Sequence, residues 1–89
     1  MRLKATVELW QKGKWYIAKI PELDFVAQGR TVEEAKSNVR EVLEIQFSEM
    51  REMGTLEDYL DECGFIMKGD MAEPENEMMG FEKQMLQVL

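Results

Sequence analysis

The apolar pattern of this chain changes period at 29-GRTVEE-34, and that switch decides which folds are open to it. Upstream, Leu3, Ala5, Val7 and Leu9 alternate with Arg2, Lys4, Thr6 and Glu8, the period of two of a half-buried strand. Downstream, Ala35, Val39, Val42, Leu43, Phe47 and Met50 recur at steps of three and four. They form the apolar stripe of a long helix, opposed by Glu33, Lys36, Ser37, Arg40, Glu41, Glu44 and Glu52. Between the two patterns, Gly29 and Arg30 break the strand and 31-TVEE-34 reads as a capping box. The Thr31 hydroxyl accepts from the Glu34 amide, and the Glu34 carboxylate reaches back.

The remaining elements follow from turn chemistry. Gln11, Lys12 and Gly13 supply a turn between the first strand and 15-WYIAKI-20, which is rich in aromatic and β-branched residues, so these two strands read as an antiparallel hairpin flanked by Trp10 and Trp15. Pro21 has no amide hydrogen for a ladder and ends the second strand, and a third runs from about Phe25 to Gln28. Gly54 offers a left-handed helix end, and Thr55 is placed to cap a short helix over Leu56 to Cys63, closed by Gly64 and buried through Leu56, Tyr59 and Leu60. Beyond it, 65-FIMK-68 reads as a short strand, 69–77 as an acidic loop and 81–89 as a last strand. The expected fold is α+β, a small β-β-β-α-β sandwich of an antiparallel sheet with helices on one face. The whole of 1–89 is expected to form one domain, with its core in 1–64 and an oligomerisation segment within 65–89. The run 81-FEKQMLQVL-89 has only Glu82 and Lys83 to blunt a strand edge, so a homodimer at least is expected.

Composition narrows the chemistry. Eighty-nine residues, 45% of them hydrophobic, support one core. Eighteen acidic against 11 basic residues leave a net charge of −7, which disfavours direct nucleic-acid binding and suits a basic protein partner. The chain has no histidine and a single cysteine, Cys63, so an internal disulfide, zinc-finger spacings and histidine-based catalysis are excluded, and neither cofactor nor metal is expected. No apolar run approaches the roughly 20 residues of a membrane span, and the N-terminus alternates instead of forming a signal-peptide core. A cytoplasmic location is expected.

The carboxylates invite an enzyme reading. A two-metal nuclease needs Asp and Glu oxygens converging from rigid elements, and Glu8 with Glu41 or Glu44 is the one pairing the pattern offers. Strand alternation and helical phase turn both away from the shared core. The run 57-EDYLDE-62 reads as the solvated side of the short helix. Trp10, Trp15 and Tyr16 would suit base stacking only with cations beside them, and the nearby sequence supplies Lys12 and Lys14 alone, so core packing or a protein interface is favoured. The methionines are read as core filler, although Met67, Met71, Met78 and Met79 cluster late in the chain, where an exposed group would form an adaptable contact surface.

The succession 15-WYIAKIPEL-23, 28-QGRT-31, 33-EEA-35 and Asn38 resembles the HicB-like antitoxin family, whose pattern runs aromatic strand, P-[DE]-L, Q-G-x-T, then E-E-A with an Asn three residues on. The match covers about residues 3 to 53 and, more loosely, 55-TLEDYLDECG-64. The resemblance implies a truncated ribonuclease-H-like fold and a cytoplasmic protein that binds and neutralises a small basic RNA-cleaving toxin of the HicA type. Partner contacts are expected at Trp10, Trp15, Phe81, Met85, Leu86 and Val88. Family members often carry Leu-Pro-Gly-Cys where this chain has 23-LDFV-26, so a less turn-like connection is expected there. Nothing after residue 64 resembles the ribbon-helix-helix or helix-turn-helix module that many members carry, and operator binding is not expected. The rival reading is a solitary ribonuclease-H-related domain with metal-dependent nuclease or nucleotide-binding activity, using Glu8 and the helix carboxylates.

Overall fold

The computed structural model describes residues 1–88 and has the α+β class expected. Its elements run β1 (Arg2–Leu3), β2 (Glu8–Lys12), β3 (Trp15–Ile20), β4 (Phe25–Gly29), α1 (Val32–Met53), α2 (Leu56–Glu62), β5 (Phe65–Lys68) and β6 (Met71–Pro74). They form two three-stranded sheets, β2-β3-β4 and β1-β6-β5, connected through the segment 2–12.

The first expected strand is therefore split. From Glu8 onward its residues pair antiparallel with β3, in the register Glu8 to Lys19. Arg2 and Leu3 pair instead with β6, and the Lys4 amide donates to the Ala72 carbonyl. The break has a physical cause in 20-IPE-22. Past Ile20 the neighbouring strand reaches Pro21, which has no N–H and turns away. Thr6 turns instead to the Glu22 carboxylate, donating its amide at 3.0 and 3.1 Å and its hydroxyl at 2.6 Å.

Two more corrections lie in the second sheet. Residues 69–77, expected as a loop, contain β6, which folds back on β5 through Gly69 and Asp70, with Gly69 at a φ of 65°. The β1–β6 pair is parallel, so this sheet is mixed and not purely antiparallel. The last strand expected over 81–89 is absent: residues 75–88 have no regular structure and are exposed, while Leu89 lies outside the described residues. The slot between β1 and β5 is taken by 71-MAEP-74, and Phe81, Met85, Leu86 and Val88 find no cross-strand partner among the described residues. The edge-pairing route to a homodimer loses its premise with that strand.

The strand-to-helix joint explains the motif residues. Thr31 is extended, at φ −135° and ψ 162°, and its hydroxyl accepts from the Glu34 amide at 3.0 Å. A Cβ placed on Gly29 would lie 2.6 Å from the Ala35 nitrogen, so only glycine admits the first turn of α1 against the end of β4. Asn38 donates from Nδ2 to the Gln28 carbonyl at 2.8 Å, fastening the second turn to the same strand. The connection before β4 is also tight, contrary to expectation. Asp24 adopts φ 57°, a conformation that its short polar side chain tolerates, so 21–24 turns without a glycine.

Helix α1 spans about 33 Å at 1.5 Å per residue and ends as expected. Gly54 is left-handed at φ 73° and donates to Arg51, and the Thr55 amide donates to Met50. Thr55 does not cap α2; its hydroxyl turns back to the Met50 carbonyl. Ala35, Val39 and Phe47 of α1 pack on Ala18, Ile20 and Leu23, with Leu43, Met50 and Phe25 at the margin. Leu56, Leu60, Phe65 and Ala72 complete one continuous core. Phe25 meets Phe47 edge-on, with ring centres 6.4 Å apart, and stacks on Tyr59 at 6.3 Å.

Candidate interaction surfaces

Register places the side chains of the β2-β3-β4 sheet on two faces. Leu9, Gln11, Tyr16, Ala18, Ile20, Phe25 and Ala27 share the side that α1 covers over β3 and β4. Glu8, Trp10, Lys12, Trp15, Ile17, Lys19, Val26 and Gln28 share the other, over which no element lies. The two-residue turn at Gly13 and Lys14, with Gly13 at φ 61°, pairs Lys12 with Trp15 and so places both tryptophans on this outer face. Trp10 is 55% exposed and Trp15 42%. Tyr16, grouped with them by sequence, points the opposite way and packs against the core.

The outer face is more basic than its sequence neighbourhood indicates. The Lys19 ammonium lies 5.2 Å from the centre of the Trp10 ring and the Arg30 guanidinium 5.9 Å from that of Trp15. Trp10 Nε1 donates to Glu8 at 3.1 Å. Lys19 and Arg30 thus stand over two indole rings, with Lys12 on the same face and Lys14 in the adjoining turn, in a chain whose net charge is −7. None of the four is in a salt bridge among the described residues, whereas Arg2, Lys4, Lys36 and Lys68 each hold a carboxylate. Lys19 and Arg30 escaped the sequence reading because they reach the tryptophans across strands. Alternation counted outward from the 13–14 turn puts Lys19 on the face of Trp10, whereas Arg30 reaches Trp15 only through the pairing of β4 with β3.

The second expected cluster, Phe81, Met85, Leu86 and Val88, lies in the tail, where Phe81 is 87% exposed and Met85 wholly so. Met78 and Met79 are exposed beside them. Glu75, Glu77 and Glu82 make this tail acidic. It leaves the fold beside β1, where Lys4 Nζ meets Glu77 at 2.8 Å. That hydrogen bond and its charge raise the Lys4 pKa above the usual lysine value and lower that of Glu77. The structure does not bring the tail cluster and the tryptophans together within one chain.

The proposed carboxylate pairing is not assembled either. Glu8 sits on the outer sheet face, held by Trp10, while Glu41 and Glu44 are exposed on α1, which covers the inner face. No group of three or more Asp, Glu, Cys or His is arranged to hold a metal among the described residues. Tyr59 donates to the Leu23 carbonyl at 2.9 Å, and burial, reinforced by the nearby Cys63 thiol, pushes its phenol from 10.0 up to about 12. It stays neutral and serves the packing of α2.

Two concavities flank the core. A groove of about 710 Å³ runs between the end of α1, α2 and β5, floored by Leu56, Leu60 and Phe65 with Arg51, Glu57 and Asp61 at its rim. A smaller cleft of about 180 Å³ lies between α1 and the β1–β2 segment, lined by Leu3, Ala5, Val7, Ile20, Val39 and Leu43, with Lys36 and Arg40 beside it. No described helix is long and apolar enough to cross a membrane. Comparison with family models, with curated proteins and with solved structures finds no match to this chain.

Proposed function

We propose that this chain is a non-catalytic protein-binding module, a HicB-like antitoxin that works in the cytoplasm by occluding a small basic toxin of the HicA type. The observation that carries the reading is the acidic, apolar segment 75–88, which contributes nothing to the core and offers Phe81, Met85, Leu86 and Val88 together with Glu75, Glu77 and Glu82. A basic partner gains charge complementarity and apolar burial from such a segment at once. The α2 carboxylates Glu57, Asp58, Asp61 and Glu62, all exposed, extend the acidic surface. The module works as a homodimer or larger assembly.

The test is complex formation with any small basic protein encoded beside this one. The full chain is expected to co-purify with it at fixed stoichiometry and to suppress its RNA cleavage. A stable, active toxin candidate left unbound and uninhibited by an excess of the chain would overturn the reading. The enzyme alternative is tested on the purified chain alone. Titration with Mg²⁺ or Mn²⁺ is expected to show only the weak, unsaturable uptake of an acidic surface. Saturable binding at one site, or RNA cleavage abolished by Glu8→Gln, would establish the rival.

A further inference from the structure

We propose that the outer face of the β2-β3-β4 sheet is the docking site for residues 75–88 of a second copy of this chain, exchanged reciprocally in a two-fold dimer. The proposal goes beyond the toxin-binding reading above: it gives segment 75–88 an occupancy in the free protein, for which a toxin would compete. Both halves of the contact are present in one molecule and are complementary. The face offers Trp10, Trp15 and Val26 with the cations Lys12, Lys19 and Arg30, none of them neutralised by a salt bridge among the described residues. The tail offers exposed Met79, Phe81, Met85 and Leu86 with Glu75 and Glu82. Opposite charges placed around apolar centres favour one seating over others and speed encounter.

The geometry favours a second copy as donor. Met79 and Met85 are fully exposed and Phe81 is 87% exposed, so their own fold leaves them uncovered. The 12 residues from Glu77 to Val88 are 11 steps of roughly 3.3 Å and span up to about 36 Å when extended, enough to cross a three-stranded face whose strands lie about 4.8 Å apart. Reciprocal exchange uses the same two patches in both directions, and so closes the assembly at two copies instead of propagating it. Trp10 and Trp15 have the side-chain type that anchors protein interfaces, while the flexible thioethers of the tail adapt to their flat rings.

The experiment is a charge exchange read by sedimentation equilibrium, with far-ultraviolet circular dichroism to show that each full-length variant is folded. The wild-type chain is expected to be dimeric. Lys19→Glu with Arg30→Glu in one variant sets an acidic face against an acidic tail, and Glu75→Lys with Glu82→Lys in another sets a basic tail against a basic face. Each alone is expected to weaken the dimer at least tenfold, and an equimolar mixture to restore a 1:1 heterodimer, because both contacts then join opposite charges. Phe81→Ser with Leu86→Ser is expected to give a folded monomer with altered tryptophan emission. A wild-type monomer, dimers indifferent to both charge reversals, or a mixture that fails to re-form overturns the proposal. So does a monomer whose tryptophan emission responds to Phe81→Ser, which assigns the face to the chain's own tail. A single-stranded oligouridylate that binds the wild-type monomer and is lost with Lys19→Glu and Arg30→Glu assigns it to nucleic acid instead. A dimer that forms as expected while no toxin is bound leaves this contact standing and removes only the antitoxin reading.

Discussion

On the inner face of the β2-β3-β4 sheet the side chains nearest α1 are small or medium and sealed, Ala18 at 0% exposure and Ile20 at 4%, whereas the outer face of the same strands carries both tryptophans in the open. The contrast follows from what each face meets. A helix lying close on a sheet leaves room for alanine beneath its axis, and Ala35 and Ala18, both fully buried, mark the line of approach. The outer face has no covering layer, yet it holds the two largest side chains in the sheet. Bulk that the fold leaves half exposed is available for a contact outside it. The inner face should therefore control stability and the outer face association.

The largest effect that bears on this division is expected from Phe47→Ala. It removes a ring held between α1, Phe25 and the sheet, and should cost about 3–5 kcal/mol in denaturant unfolding. A loss comparable to a surface change would mean that the inner face is not the stabilising one. Gly29→Ala should cost about 1–3 kcal/mol by overpacking, since its Cβ would collide with backbone at Ala35 that no side-chain rotation can move. An unchanged melting midpoint would show that the joint has slack. Thr31→Ala leaves the Glu34 amide without its acceptor and should cost about 1 kcal/mol. A loss larger than that of Phe47→Ala would reverse the ranking of cap and core. On the outer face, Lys19→Ala removes only an exposed cation–π contact and should cost about 0.5 kcal/mol, measured at a concentration where the protein is monomeric. A cost of several kcal/mol there would erase the distinction between the two faces.

The residues that carry the HicB resemblance belong almost entirely to the stabilising side. Gly29, Thr31, Glu34, Ala35 and Asn38 build the joint between β4 and α1. Pro21 ends β3, Glu22 satisfies Thr6, and the Leu23 side chain is buried while its carbonyl receives Tyr59. Their recurrence as a pattern reports how a short strand is turned into a helix, and so speaks to architecture more directly than to partner choice. The surfaces offered to a partner lie on residues outside that pattern, apart from Trp15, Lys19 and Arg30.

Local chemistry determined much of this molecule before any packing. The Thr31 N-cap, the left-handed glycine after α1, the apolar helix stripe and the alternation of β3 each depend on residues a few positions apart, and each is legible in the chain; of the expected capping box only this Thr31 half forms. Tertiary structure alone decided the rest. Whether 2–12 forms one strand or two depended on where Pro21 and Ala72 came to lie across from it, and the place beside β1 went to 71–74 instead of 81–88. Strand pairing is a contract between distant segments, and a strand's own residues state only that they would fit a pleated surface. The same holds for the outer face. Lys19 and Arg30 stand beside tryptophans from which they are separated by a turn or by two strands, and only the closing of the hairpin and the addition of β4 turned four scattered cations into one surface.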